Sequence, residues 1–483
     1  MGSGFHGGLW RRRVVGVLLG VIMPFAVEGR TFLLPPETVP AGETGALLSG
    51  AQTSLSNGTE GFFANPAGLA QDTRAQASAG MELLHYQSLT VNGNRQGQFT
   101  SPGVFFALSD SFNPRSYFHT VYGLSIRRAP GAQYPIRLRE QRTGTAESLP
   151  AGLSGTTDVN ALFPGGLTVQ ERSEGEGRLD LLRMGLGLAM SLGPSVRVGA
   201  HMLLEWLDLS ATGRIAMAYS GQETSATVDT LLTGNSWSGL AVAGHSTRMA
   251  LELGLQASLA PGVEFGAVVR NPSETLRGAG SVSLQRDHQM RVTSTTGATT
   301  TVILDRAGSA TVEGDRLAFR LDSPREMRMG LSFKSDWMLF TLEAARISAQ
   351  AAYTVLPGSV GTNTLTGAAQ MPPLRTSGRG GNSLALGVVM VNGQDSSVLM
   401  GWRADQSPVV EDDPLFRQLD MNTWSVGWYR TGGRVTAALG VMYRQAQQSD
   451  LRFSSPAGVA EQNATASVQW EAWTVHLGST MIF

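Results

Sequence analysis

From about Arg74 to the last residue, apolar side chains recur at every second position against small or polar ones. Leu182, Met184, Leu186, Leu188 and Met190 alternate with Arg183, Gly185, Gly187, Ala189 and Ser191. Met249, Leu251, Leu253 and Leu255 oppose Glu252, Gly254 and Gln256, and Val435, Leu439, Val441 and Tyr443 oppose Thr436, Gly440 and Arg444. A period of two means strands with one apolar face. The period alone does not say whether that face meets lipid or a soluble core, because sandwiches alternate as well. The connections decide. Gly193-Pro194, Ala260-Pro261-Gly262, Ser335-Asp336, Asn392 to Asp395 and Gly432-Gly433 are tight turns, and between those pairs run long stretches near 129–177, 220–243, 281–323, 351–381, 404–421 and 447–464. Short turns at one end and long loops at the other are the asymmetry of an outer-membrane barrel. With early strands near 74–91, 98–108 and 119–128, the count is about fourteen, an even number as closure expects. The expected fold class is therefore all-β, a transmembrane antiparallel barrel of the cell outer membrane, spanning 74–483. The last strand agrees: Trp473, Val475, Leu477, Met481 and Phe483 share one face, and the chain ends on the aromatic ring.

The N-terminus carries an export signal. Arg11 to Arg13 form a basic region, Val14 to Phe25 an apolar stretch, and Val27 and Gly29 supply small side chains before Arg30. That stretch is short of the roughly 20 residues a membrane helix needs, so 1–29 is expected to be a cleaved signal peptide. Net charge is −1, which gives no ground for nucleic acid as a partner, and the absence of Cys removes disulfides and thiolate chemistry. His85, His119, His201, His245, His288 and His476 are scattered without metal-ligand spacing, and no Gly-rich loop precedes a helix. No catalytic residue, metal or cofactor is expected, and the chain is not read as an enzyme.

Residues 30–73 lack the barrel alternation and end in Phe62-Phe63-Ala64-Asn65-Pro66-Ala67-Gly68-Leu69. Asn-Pro confines Asn65 to extended or turn states, and Gly68 permits close approach. Set before a fourteen-stranded pattern, Asn65, Pro66, Ala67 and Gly68 resemble the hatch motif of the FadL-type outer-membrane transporters. The stretches 324–334, 266–280 and 401–429 resemble strand starts, strand ends and a late external loop of that family. The resemblance implies that 30–73 folds into the lumen as a hatch. It also implies passive uptake of hydrophobic compounds, such as long-chain fatty acids or hydrocarbons, with hatch movement and a side gap giving passage into the bilayer. The terminal Phe483 resembles the signal read by the barrel-insertion machinery, a partner beside the hydrophobic substrate and outer-membrane lipid.

Charges cost about 2–4 kcal/mol on the lipid face, so Arg183, Arg197 and Arg328, all on polar parity, are expected in the lumen. There they either brace the wall against carboxylates or meet a substrate carboxylate. Small lumenal positions are expected to tolerate exchange, as in Gly440→Ser. The long loop 220–243 holds Leu231, Leu232 and Trp237, an apolar group that either packs on itself or captures substrate. The alternative reading is a non-transporting structural or secretion-accessory barrel that docks partner proteins.

Overall fold

The computed structural model describes residues 42–453 and 464–483, apart from 92, 101, 113–118, 130–131, 145–161, 164–166, 226–227, 365–368, 372, 394 and 409–419. The signal peptide and the start of the expected hatch, 30–41, lie outside these residues. Fourteen antiparallel strands close into a barrel. In chain order they are β1 (Gln76–Val91), β2 (Val104–Ser111), β3 (Thr120–Arg128), β4 (Leu167–Ser191), β5 (Val196–Thr224), β6 (Asp229–Ala260) and β7 (Val263–Arg270). The second half comprises β8 (Glu326–Lys334), β9 (Met338–Ile347), β10 (Gly381–Asn392), β11 (Ser396–Asp405), β12 (Met421–Gly432), β13 (Val435–Phe453) and β14 (Ala464–Ile482). Each pairs with its chain neighbour, and β1 pairs β14 over fifteen positions from Gln76↔Ile482 to Val91↔Val468, so no edge is left open.

Strand parity divides the wall. Leu186, Leu188, Leu253, Val426, Leu439 and Leu477 are exposed on the outer face, whereas Glu205, Gln256, Arg444 and Thr474 are buried on the inner one. Outward rings gather near the ends of the wall, as in Tyr443 stacked between Trp424 (5.7 Å) and Trp473 (4.5 Å). This is the aromatic girdle of a lipid-spanning barrel.

Several stretches expected to be loops are strands. β5 and β6 stay paired out to Thr224↔Asp229, and a hairpin of Glu274–Thr296 and Thr299–Ala318 continues beside β6 beyond the lipid band. These outer parts meet water on at least one side, so they lack the continuous apolar face that marks the wall. Their alternation is correspondingly weaker.

Candidate functional site

The lumen is built in layers, and the lowest is made of glycine. Six cross-strand pairs ring the wall: Gly123–Gly187, Gly199–Gly254, Gly266–Gly330, Gly387–Gly401, Gly427–Gly440 and Gly478–Gly80. Together they supply twelve of the fourteen strands, and Ala107 and Thr341 stand on β2 and β9. Residues 42–72 lie against this belt. A Cβ at Gly266 would stand 2.0 Å from the Thr53 carbonyl oxygen, and one at Gly199 would stand 2.4 Å from the Pro66 backbone. Leu47 occupies the space beside Gly427 and Gly440, and Leu48 that beside Gly387 and Gly401. Only wall positions without side chains leave room for a folded segment at that depth. Gly440→Ser is therefore not the tolerated change the alternation suggested, since its Cβ would meet Leu47 at 2.4 Å.

Asn65 and its neighbours sit at the centre of this packing. Asn65 is fully buried and caps a short 3₁₀ turn, Pro66–Gln71, by accepting from the Ala67 N–H at 3.1 Å. Its amide donates to the Thr53 carbonyl (2.8 Å) and across to the Leu255 carbonyl on β6 (2.9 Å). Pro66 and Ala67 pack at Gly199, and Gly68 fits where a Cβ would strike Ser56. Further polar ties run to the wall: Gln52 and Thr53 N–H donate to Glu343 (3.1 and 2.8 Å), and Gln256 donates to Ser56 Oγ (2.9 Å). Thr436 donates to Glu43 at 2.7 Å. Within the segment, Glu60 accepts from the backbone of Glu43 and Thr44; burial, helped by the nearby Glu43 carboxylate, pushes its pKa up to about 8. Burial likewise raises Glu43.

Above the belt lies a charged layer. Glu205 is enclosed by Arg183 (2.6 Å), Arg248 (2.6 Å) and Arg270 (2.7 Å) from β4, β6 and β7. Glu252 faces His201 at 3.2 Å and Arg328 at 3.8 Å, and Arg328 also approaches Glu326 at 3.5 Å. Arg197, nearer the turn end, meets Glu264 at 3.4 Å. The three expected arginines thus point into the lumen at separate places, each beside a wall carboxylate. Arg248 and Arg270 follow the same parity rule but escaped the sequence reading.

A third layer is apolar. Leu89, Leu181, Leu207, Val242, Met421 and Trp470 converge from strands around the lumen, together with Phe319 and Leu321. Val355, Leu356, Met371 and Leu374, from the segment joining β9 to β10, fill its middle. Such a layer is foreign to a water-filled pore, whose interior is polar. Asn94–Phe99 pairs β1 and Ala132–Gly144 pairs β4, but no ladder joins these two among the described residues.

Leu231, Leu232 and Trp237 do not form one group. They sit on β6, not in an irregular loop, and alternation turns Leu232 away from the other two. Leu232 is fully buried with Phe163, Met217, Tyr219, Met290 and Leu304. Leu231 is exposed on the opposite face, where Trp237 lies under the Arg214 guanidinium at 5.1 Å.

No protein-family model and no curated protein matches the chain in sequence. Solved structures do. A Pseudomonas aeruginosa FadL homologue superposes with a TM-score of 0.56 at 12% identity, covering 93% of this chain and 99% of that one. The CymD monoaromatic hydrocarbon channel gives 0.52 at 14% identity, covering 92% and 98%. The P. putida toluene transporter TodX gives 0.51 at 13% identity, covering 92% and 99%. What is shared at such identity is the fold.

Proposed function

We propose, from the fold that this chain shares with FadL-type outer-membrane channels, that it admits hydrophobic small molecules passively across the outer membrane. Long-chain fatty acids and hydrocarbons are the substrate class. The observation that carries this reading is the apolar layer across the lumen, closed below by charge and by the inserted segment 42–72. An apolar molecule entering from the loop end takes the place of Leu356 and its neighbours in a chamber where it stays out of water, worth about 25 cal/mol per Å² of surface buried. The segment 42–72 acts as the hatch below it.

Arg183, Arg197 and Arg328 serve as braces in this account, because each already faces a carboxylate. Capture by Leu231, Leu232 and Trp237 as one patch gains no support from their separation, so entry is assigned to the chamber itself. The test is mass spectrometry of ligand extracted from protein purified from cells fed palmitate or hexadecane. A bound hydrophobic compound, absent from a general porin prepared in parallel, is expected. Equal traces in both preparations would count against the proposal.

A further inference from the structure

The outer sheet has two unlike faces. One carries the apolar cluster around Leu232, Met217 and Met290. On the other, the register aligns Arg172, Ala216, Trp237, Asp287 and Ser309 in one row across five strands. Gln170, Ala218, Asn235, Gln289 and Ala307 form the next row. These rows line an open cavity of about 1220 Å³, to which Asn94 to Gln96 and Thr364 also contribute. It lies far from the hatch: Asn235 is nineteen residues along β6 from Gly254, the glycine that meets Asn65.

The lining is rich in carboxamides. Asn94, Gln96, Gln170, Asn235 and Gln289 all line it, and none of these five side-chain amides is hydrogen-bonded to another described residue. A carboxamide offers two donors and a two-lone-pair acceptor on one rigid plane, which matches vicinal hydroxyls that both donate and accept. Trp237 is half-exposed, and the part of its ring that Arg214 leaves uncovered adds an apolar surface suited to the C–H face of a sugar ring. Four charged side chains line it as well, and the three cations are engaged: Arg95 is tied to Glu471 at 3.0 Å, Arg214 lies over Trp237 and Arg172 has a partner of its own, while Asp287 contributes a carboxylate. A hydrocarbon placed here would strip water from five amides and return nothing. The cavity also exceeds the roughly 300–1,000 Å³ of ordinary small-ligand pockets, leaving room for several linked rings.

We propose that this cavity is a binding site for a neutral oligosaccharide, separate from the hydrophobic path. The sugar comes either from free oligosaccharide in the medium or from the polysaccharide of a neighbouring lipopolysaccharide. The full-length protein in detergent is screened on a printed array of neutral and acidic glycans. Hits are titrated calorimetrically beside maltohexaose and beside polysaccharide released from lipopolysaccharide. Saturable binding of a neutral glycan is expected, about tenfold weaker in Trp237→Ala and weakened again in Asn235→Ala/Gln289→Ala. These variants change exposed or half-exposed side chains outside the lipid band, so palmitate binding serves as a folding control and is expected unchanged. Binding of the released polysaccharide alone assigns the source to the membrane, and binding of free oligosaccharide alone assigns it to the medium. A blank array, binding confined to acidic glycans, or equal affinity in parent and variants overturns the proposal. Loss of palmitate binding by the parent would instead strike at the hydrophobic channel and leave this site standing.

Discussion

The lumen is filled twice, and the two fillings obey different physics. Below, residues 42–72 meet the wall through a belt of glycines and a set of directional hydrogen bonds, donated by Asn65, Gln256 and Thr436 and accepted by Glu343. Above, Val355, Leu356, Met371 and Leu374 fill the lumen by apolar contact. A hydrogen-bonded filling is specific, because each group left unpaired costs about 1–3 kcal/mol. An apolar filling is exchangeable, because another apolar molecule of similar volume restores most of what is lost. The lower region is thus built to stay shut and the upper one to be replaced. The arginine-ringed Glu205 marks the boundary.

The sharpest way to break this comparison is at the belt. Gly266→Val sets a branched side chain into the Thr53 backbone, a clash expected to cost more than about 3 kcal/mol because a peptide cannot yield as a side chain does. The barrel is expected to assemble with residues 42–72 displaced, raising uptake of a small hydrophilic sugar in a vesicle-swelling assay. Gly440→Ser should do the same to a lesser degree. Unchanged permeability in both would mean that the glycines do not hold the segment.

The boundary comes next. Glu205→Gln leaves three buried guanidinium groups around a neutral amide, and breaking a buried ion cluster costs about 3–5 kcal/mol. The temperature at which the folded band disappears on a gel is expected to fall, with no gain in sugar permeability. Leu356→Ala should cost less, about 2–3 kcal/mol, and a bound alkane should recover part of the loss because it refills the space. Failure of alkane to restore stability would mean that the upper filling is as fixed as the lower.

The smallest effect is a pH dependence confined to residues 42–72. The Glu60 carboxyl is raised by burial to about 8, so the docked segment keeps a proton that the undocked chain releases near the ordinary 4.5. Docking is therefore fully favoured below pH 4.5, weakens as pH rises from there to about 8, and levels off above. Hydrogen-exchange protection factors of residues 42–72, each taken relative to the unstructured chain at the same pH, should be higher at pH 6 than at pH 9, and Glu60→Gln should flatten the difference. A segment equally protected at both pH values in the parent would remove Glu60 from the account.

Much of this was legible in the residues. Parity separated Leu439 from Arg444 because lipid and lumen impose opposite demands on adjacent positions. The short turns located one end of the barrel, and the Asn65-Pro66 bend drew attention to the segment that lies inside. The glycine belt went unread although every member stands on the lumenal parity, because a glycine in a strand signals many things until the neighbours across the sheet are known. Leu231, Leu232 and Trp237 were grouped by closeness in sequence, which a strand turns into opposition in space. The apolar layer could not be seen at all, since Leu89, Leu207, Met421 and Trp470 meet only when the barrel closes.

The central claim is passage of hydrophobic molecules, and uptake tests it most directly. Cells with an intact lipopolysaccharide surface and no channel of their own would be supplied with labelled palmitate, hexadecane and a trisaccharide, with and without this protein. The account predicts faster entry of palmitate and hexadecane, unchanged entry of the trisaccharide, and slowed entry of both hydrophobic compounds when Leu356→Asp charges the chamber. Hydrophobic uptake equal to that of cells lacking the protein, with the barrel folded in their outer membrane, would contradict it.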